Sequence, residues 1–239
     1  MIPQVDFHPL TRADGSTTYS DQLFSILAGV NGPVEVQRRD ELPEEAAVEV
    51  NIRPLAGIGG PRERWLEDVV HSVLKNIVLV HLYPRSLVQV TLQITKEPNS
   101  TINKGKGDVA ILPALVNAAF LGLLDAGLPL RTTSAATLIA INNNNELVID
   151  PTSKQANSCS SIHALAYDLS GALLLNESIG NFDIDHWKIV TERAREICLG
   201  AFESGTDEVM RGTDIVADSW LRQALQEKVR DATAHRGAS

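Results

Sequence analysis

Apolar positions along the chain recur with two periods, and the switches between them mark out its elements. Phe24 to Val30 is a short apolar run bounded by turn residues, which reads as a buried strand. Asn31-Gly32-Pro33 is expected to break it. Ala47 to Ile52 alternates apolar and polar, the period of a strand with one buried face. Gly57 to Pro61 holds three glycines and a proline, cannot sustain a ladder, and marks a loop. From Glu63 to about Val78 the period lengthens. Leu66, Val69, Val70, Val73, Leu74 and Ile77 then share one helix face. Leu87 to Ile94 alternates again, with Val88, Val90, Leu92 and Ile94 opposite Gln89, Thr91 and Gln93.

Glu97 to Gly107 is polar, carries Pro, Asn and Gly, and is expected to be a loop. A helix to about Ala126 follows, with Val109, Leu112, Val116, Phe120 and Leu123 on one face. Asp108 suits its N-cap, Pro113 its first turn and Gly127 its end. Thr137 to Ile141 and Glu146 to Ile149 flank Asn142-Asn143-Asn144-Asn145, a hairpin signature. Ile162 to Asp168 and Leu173 to Asn176 repeat it around Ser170-Gly171. Ile184 to Glu203 fits a long helix. The tail from Asp207 carries a second helical pattern anchored by Val216, Trp220 and Leu225, and Ala232 to Ser239 is expected to fray. This order predicts one mixed α/β (α+β) domain over residues 1–205, with a helical extension over 206–239.

Composition narrows the function classes. With 239 residues and 44% apolar content the chain can bury a large core. It has no apolar run of eighteen residues, so no membrane span is expected. The start, Met1-Ile2-Pro3-Gln4-Val5-Asp6, lacks the features of a signal peptide. Cys159 and Cys198 form no metal pattern and imply no disulfide framework, which suits an intracellular, reducing compartment. The net charge of −9 argues against a surface coated for duplex binding. It still allows a positive path for one strand.

Several short motifs carry a resemblance. Arg12-Ala13-Asp14-Gly15-Ser16, Gly32-Pro33-Val34-Glu35, Arg53-Pro54, Arg62-Glu63-Arg64, Tyr83-Pro84-Arg85 and Asn117-Ala118-Ala119-Phe120 stand in an order and spacing that resembles the RNase PH family. Glu49-Val50-Asn51-Ile52-Arg53-Pro54 followed by Gly57, with Glu41-Leu42-Pro43 and Asp150-Pro151-Thr152, looks most like the ring subunits of the eukaryotic RNA exosome. The resemblance covers about Arg12 to Phe202. It implies mixed sheets with packed helices, the ribosomal protein S5 domain 2-like class.

The resemblance also implies where chemistry should lie. The family pattern Asp-Gly-Gly-Thr-Arg-Thr-Ala matches Asp108-Val109-Ala110-Ile111-Leu112-Pro113-Ala114, so Leu112 stands where a phosphate-binding arginine is expected. After Asp150, Lys154 and Ser160 stand where paired metal-binding aspartates are expected. No catalytic residue, metal or cofactor is therefore expected. The implied role is a non-catalytic member of a six-membered ring of RNase PH-like subunits. Cap proteins with RNA-binding domains sit above the ring and a separate hydrolytic exoribonuclease below. Single-stranded RNA passes through the channel, and the setting is nucleus, nucleolus and cytoplasm. The rival is a phosphate- or metal-dependent 3′→5′ exoribonuclease acting as a homodimer. A third reading is a scaffold recruited to unrelated proteins, with no RNA at the ring neck.

Five cations are candidates for RNA contact. In related rings the loop before Arg62 and Arg64 lines the neck of the pore, where guanidinium groups meet a threaded backbone. The alternative is pairing with Glu63, Glu67 and Asp68 on a solvated helix end. Arg85 stands at the family's other phosphate-contacting arginine, or is an exposed ion-pairing residue at a strand start. Lys104 and Lys106 extend the path, or belong to a mobile solvated loop. The six histidines form no metal pattern. Cys159 reads as a small buried residue, and Trp65, Trp187 and Trp220 as core or interface anchors.

Overall fold

The alternation at Ser86–Lys96 builds the strand at the centre of the first sheet. A computed structural model describes residues 3–39, 41–98, 102–201 and 220–234. β1 (Gln4–Phe7), β2 (Gly15–Ser20), β3 (Ser25–Glu35), β4 (Ala47–Arg53) and β5 (Ser86–Lys96) form a sheet in the order β1-β2-β3-β5-β4. The β4–β5 pair is parallel and the other pairs antiparallel. Between the parallel strands runs α1 (Pro61–Ile77), the crossover that such a pair requires.

β6 (Ser134–Ile141), β7 (Leu147–Ile149), β8 (Ser161–Asp168) and β9 (Leu173–Gly180) form a second, antiparallel sheet, ordered β7-β6-β8-β9. α2 (Lys104–Asp125) lies between the sheets, touching β2, β3 and β5 on one side and β6, β8 and β9 on the other. α2 is apolar and long enough to cross a membrane on length and composition alone. Here those residues are the core: Ile111, Leu112, Leu115, Phe120, Leu121 and Leu123 are fully buried. α3 (Ser153–Ser158) precedes β8, and α4 (Ile184–Gly200) packs on β6 and β8. β6 and β8 are covered on both faces, by α2 and by α4, and so read as almost unbroken apolar runs rather than alternating ones.

The mixed fold and both hairpins match the pattern read from sequence; the parallel pairing that makes β4-α1-β5 a crossover comes from the structure. Several boundaries differ. β3 continues through Gly32-Pro33 to Glu35, because pairing with β5 resumes after a register shift between Asn31 and Val34. α2 begins at Lys104, with Gly107 N–H bonded to the Asn103 carbonyl. Lys104 and Lys106 therefore lie on a helix, not in a loop, and Asp108 is not the cap. Pro113 sits inside the helix. Arg85 precedes β5 in left-handed geometry, φ 61°, rather than starting the strand. The described part of the tail forms α5 (Trp220–Ala234), so helix persists into the segment expected to fray. Val216, Glu203 and residues beyond 234 lie outside the described residues. β1, β2 and α3 are additional elements, too short or too polar to announce themselves by period.

The Asn117 carboxamide joins the two sheets through α2. Its oxygen accepts from Ala136 N–H at 2.9 Å, and its nitrogen donates to the Ala136 carbonyl at 3.0 Å and to Tyr19 Oη at 3.2 Å. Gly15 closes the other end. A Cβ there would meet the Ala126 backbone nitrogen at 2.1 Å, so only glycine lets β2 approach the end of α2.

Candidate nucleic-acid interface

The loop from Pro54 to Gly60 links β4 to α1, and polar side chains hold both of its ends. Gln93 Nε2 donates to the carbonyls of Pro54 at 3.0 Å and Ile94 at 2.9 Å. Glu67 accepts from Ile52 N–H at 2.8 Å, and Glu63 from Gly60 N–H at 2.7 Å. The latter bond is the Glu63 half of a capping box on the first turn of α1, since a glycine N-cap has no side chain to return it.

Arg62 and Arg64, two residues apart, have different fates. Arg62 Nε is bonded to Asp108 Oδ1, and its Nη1 lies 3.6 Å from Glu97 and 3.8 Å from Glu63. Its charge is thus matched by carboxylates from α2, the end of β5 and its own helix. Of the three acids expected to compensate the arginines, only Glu63 does so. Arg64 is exposed, and no carboxylate lies within ion-pair distance of it among the described residues.

The two lysines also diverge. Lys106 Nζ donates to the Cys159 carbonyl at 2.6 Å and to that of Asn157 at 3.4 Å, and lies 3.7 Å from Cys159 Sγ. These carbonyls end α3, where a cation is favoured by the helix dipole. Asn103 N–H donates to Asn157 Oδ1 at 2.9 Å, so the first turn of α2 is fastened to α3 at two points. Burial pushes the Cys159 thiol up, and the Lys106 ammonium only partly opposes this. A group so placed is a weak nucleophile. Lys104 occupies the first residue of α2.

Arg85 stands apart from the others. Its side chain is 69% exposed and its Nε lies 3.3 Å from Glu41. It precedes β5, whose other end leads to Glu97 and Arg62. Eleven strand residues separate them, roughly 35 Å at the usual rise. Arg85 and Arg62 therefore cannot hold one phosphate within a single chain.

The positions where chemistry was sought are dispersed as well. Leu112 is fully buried in the third turn of α2. Lys154 is exposed on α3. Ser160 donates from Oγ to the Asn181 carbonyl at 2.9 Å, while its N–H bonds the Ile141 carbonyl at 2.8 Å. No group of three or more His, Cys, Asp or Glu suited to a metal occurs among the described residues. His163 is fully buried on β8, bonded to Ser161 Oγ at 2.9 Å and Ser178 Oγ at 2.8 Å, and edge-on to Phe182. It is a satisfied core histidine. Sequence reasoning passed over Asn103 and Asn157 and read Gln93 only as part of the polar face of its strand, since the fastening of backbone segments leaves no periodic signal.

Residues 4–129 match the family model described as the 3′ exoribonuclease family (RNase PH), domain 1. The chain belongs to the RNase PH family. The yeast (Saccharomyces cerevisiae) Exosome complex component RRP46 is 33% identical over 205 residues, covering 83% of this chain and 91% of the relative. A rice (Oryza sativa subsp. japonica) relative named Exosome complex exonuclease RRP46 homolog is 30% identical, over 60% of this chain and 56% of its own length. The crystal structure of rice Rrp46 superposes with a TM-score of 0.70 at 25% identity, covering 80% of this chain and 86% of that one.

Proposed function

We propose that this chain is a non-catalytic ring subunit of the RNA exosome. In this reading it scaffolds 3′→5′ RNA processing and decay and lines part of the channel for single-stranded RNA. Similarity to an exosome component over nine-tenths of that relative's length supports ring membership. The observation that carries the inert reading is the burial of Leu112. The family's phosphate-binding arginine is expected at this position, and here the side chain is locked between two sheets. An apolar core residue offers an anion neither charge nor a donor. Lys154 on an exposed face and Ser160 bonded to backbone add no metal ligand.

The partners are other RNase PH-like subunits in a six-membered ring, cap proteins with RNA-binding domains, and a hydrolytic exoribonuclease. The setting is nucleus, nucleolus and cytoplasm. Within this chain Arg64 is the best-supported RNA contact, because its charge is unmatched. Arg62 backs the same loop. Arg85 and Lys104 are contacts in the same proposal, Arg85 at the far end of the sheet. Lys106 acts by holding α3.

The test is RNA protection by the assembled ring. Arg64→Glu is expected to shorten or weaken the protected fragment without loss of assembly. Unchanged protection would remove the channel-lining part of the proposal. Arg62→Glu is a poor probe, since it sets a fourth carboxylate among Glu63, Glu97 and Asp108.

A further inference from the structure

Trp65 opens the second turn of α1, beside Arg64, and is 38% exposed. The buried face of that helix is Glu63, Leu66, Val70, Val73, Leu74 and Ile77, so the indole is not needed to seat it. Its N–H has no hydrogen-bond partner among the described residues. By contrast, Trp220 packs edge-on to Tyr19 with ring centroids 5.7 Å apart. The loop leading to α1 exposes Ile58 at 98% and Leu55 at 50%. An aromatic face, an apolar loop tip and exposed Arg53 and Arg64 therefore belong to one stretch of chain.

We propose that Trp65 is a base-stacking residue for single-stranded RNA, with Arg64 meeting the adjoining phosphate. The inference rests on the RNA-path reading of this loop and deepens it. Three arguments favour RNA over a protein anchor. Stacking needs a π-face open to solvent and a nearby cation for the backbone, and it is tolerant of sequence. The chain carries a net charge of −9, yet Arg53 and Arg64 have no ion-pair partner among the described residues. Their charge complements a polyanion. The platform is also rigid: Glu63, Glu67 and Gln93 hold the backbone around it, and Asp108 holds Arg62. A preformed surface loses less entropy on binding than a floppy one.

The experiment is ultraviolet cross-linking of a 4-thiouridine-containing single strand to the assembled ring, followed by trypsin and mass spectrometry. Cleavage after Arg64 and Lys75 isolates Trp65 in the peptide 65–75. An RNA adduct on that peptide is expected. Trp65→Leu should weaken strand binding by about tenfold, and Trp65→Phe should restore most of it. Adducts elsewhere on this chain, with none on 65–75, would overturn the stacking role and leave the RNA path standing. No adduct anywhere on the chain, in a ring that protects RNA, would overturn both. Loss of ring assembly in Trp65→Leu without an adduct would assign the residue to a protein contact instead.

Discussion

The guanidinium of Arg62 is bonded to the carboxylate of Asp108, which ties α1 to the start of α2. Asp108 matches the aspartate that opens the pattern Asp-Gly-Gly-Thr-Arg-Thr-Ala of the family this stretch resembles. Here it neutralises a cation of its own chain. Removing Asp108 leaves Arg62 part-buried with only the longer contacts to Glu97 at 3.6 Å and Glu63 at 3.8 Å. Asp108→Ala should lower stability by about 1–3 kcal/mol in a denaturant titration. Arg62→Lys, which keeps the charge but not the planar fork, should cost less than Asp108→Ala.

Leu112→Arg, combined with Lys154→Asp and Ser160→Asp, should not restore phosphorolysis. The guanidinium would enter a dry core between two sheets, at a cost of more than about 3 kcal/mol. The expected outcome is a large loss of soluble protein or a lowered melting temperature, with no nucleoside diphosphate formed. A stable, active triple variant would show that the pocket persists and lacks only its side chains.

Asp125 gathers three groups at the end of α2. Its Oδ2 accepts from Ser16 N–H at 2.8 Å and lies 3.3 Å from His8 Nδ1, and its Oδ1 lies 2.8 Å from Lys228 Nζ on α5. Burial opposes the charged form, but Lys228 and the Ser16 N–H outweigh it, and its carboxyl lies below the ordinary value. Stability from this site is therefore present above the ordinary carboxylate range and lost on acidification below it. Lys228→Ala should loosen α5. Trp220 emission should shift to the red, while unfolding of the main domain changes little.

Burial lowers the His163 imidazole from 6.5 to about 4. The unfolded chain then binds the extra proton first as pH falls. Stability should decline from about pH 6.5 down to about 4, by up to about 1.4 kcal/mol per pH unit. His163→Gln should flatten that segment of the pH profile. An unchanged slope would place its origin in other groups.

Gly15 and Ala126 approach so closely that Gly15→Ala must displace backbone, not a flexible side chain. A loss of about 2–3 kcal/mol is expected on overpacking grounds, read as a drop in the thermal midpoint. Gly105→Ala serves as the control, since its nearest neighbour is the movable Ile179 Cδ1.

What could be read from sequence followed the strength of the periodic signal. Val88, Val90, Leu92 and Ile94 alternate because β5 has one face on the core, and that alternation gave the strand within two residues. The start of α2 was misplaced because Asn103-Lys104-Gly105-Lys106-Gly107 has poor helix propensity. Tertiary bonds from Asn157, and from Lys106 to the end of α3, hold the turn in helix. The same bonds engage the Lys106 ammonium with backbone carbonyls of its own chain. Likewise, the sequence placed Arg62 and Arg64 side by side, but only the fold brings Glu97 and Asp108 to the first and leaves the second unmatched. Residue type and spacing locate a cation. Its freedom to bind depends on partners distant in the chain.

The most direct measurement is phosphorolysis of single-stranded RNA by the purified chain with phosphate and Mg²⁺. It should be run alone and with its ring partners, omitting the hydrolytic subunit. The account expects no nucleoside diphosphate in either case. Phosphate-dependent release that persists when the chain is purified alone would contradict it and make this protein an enzyme.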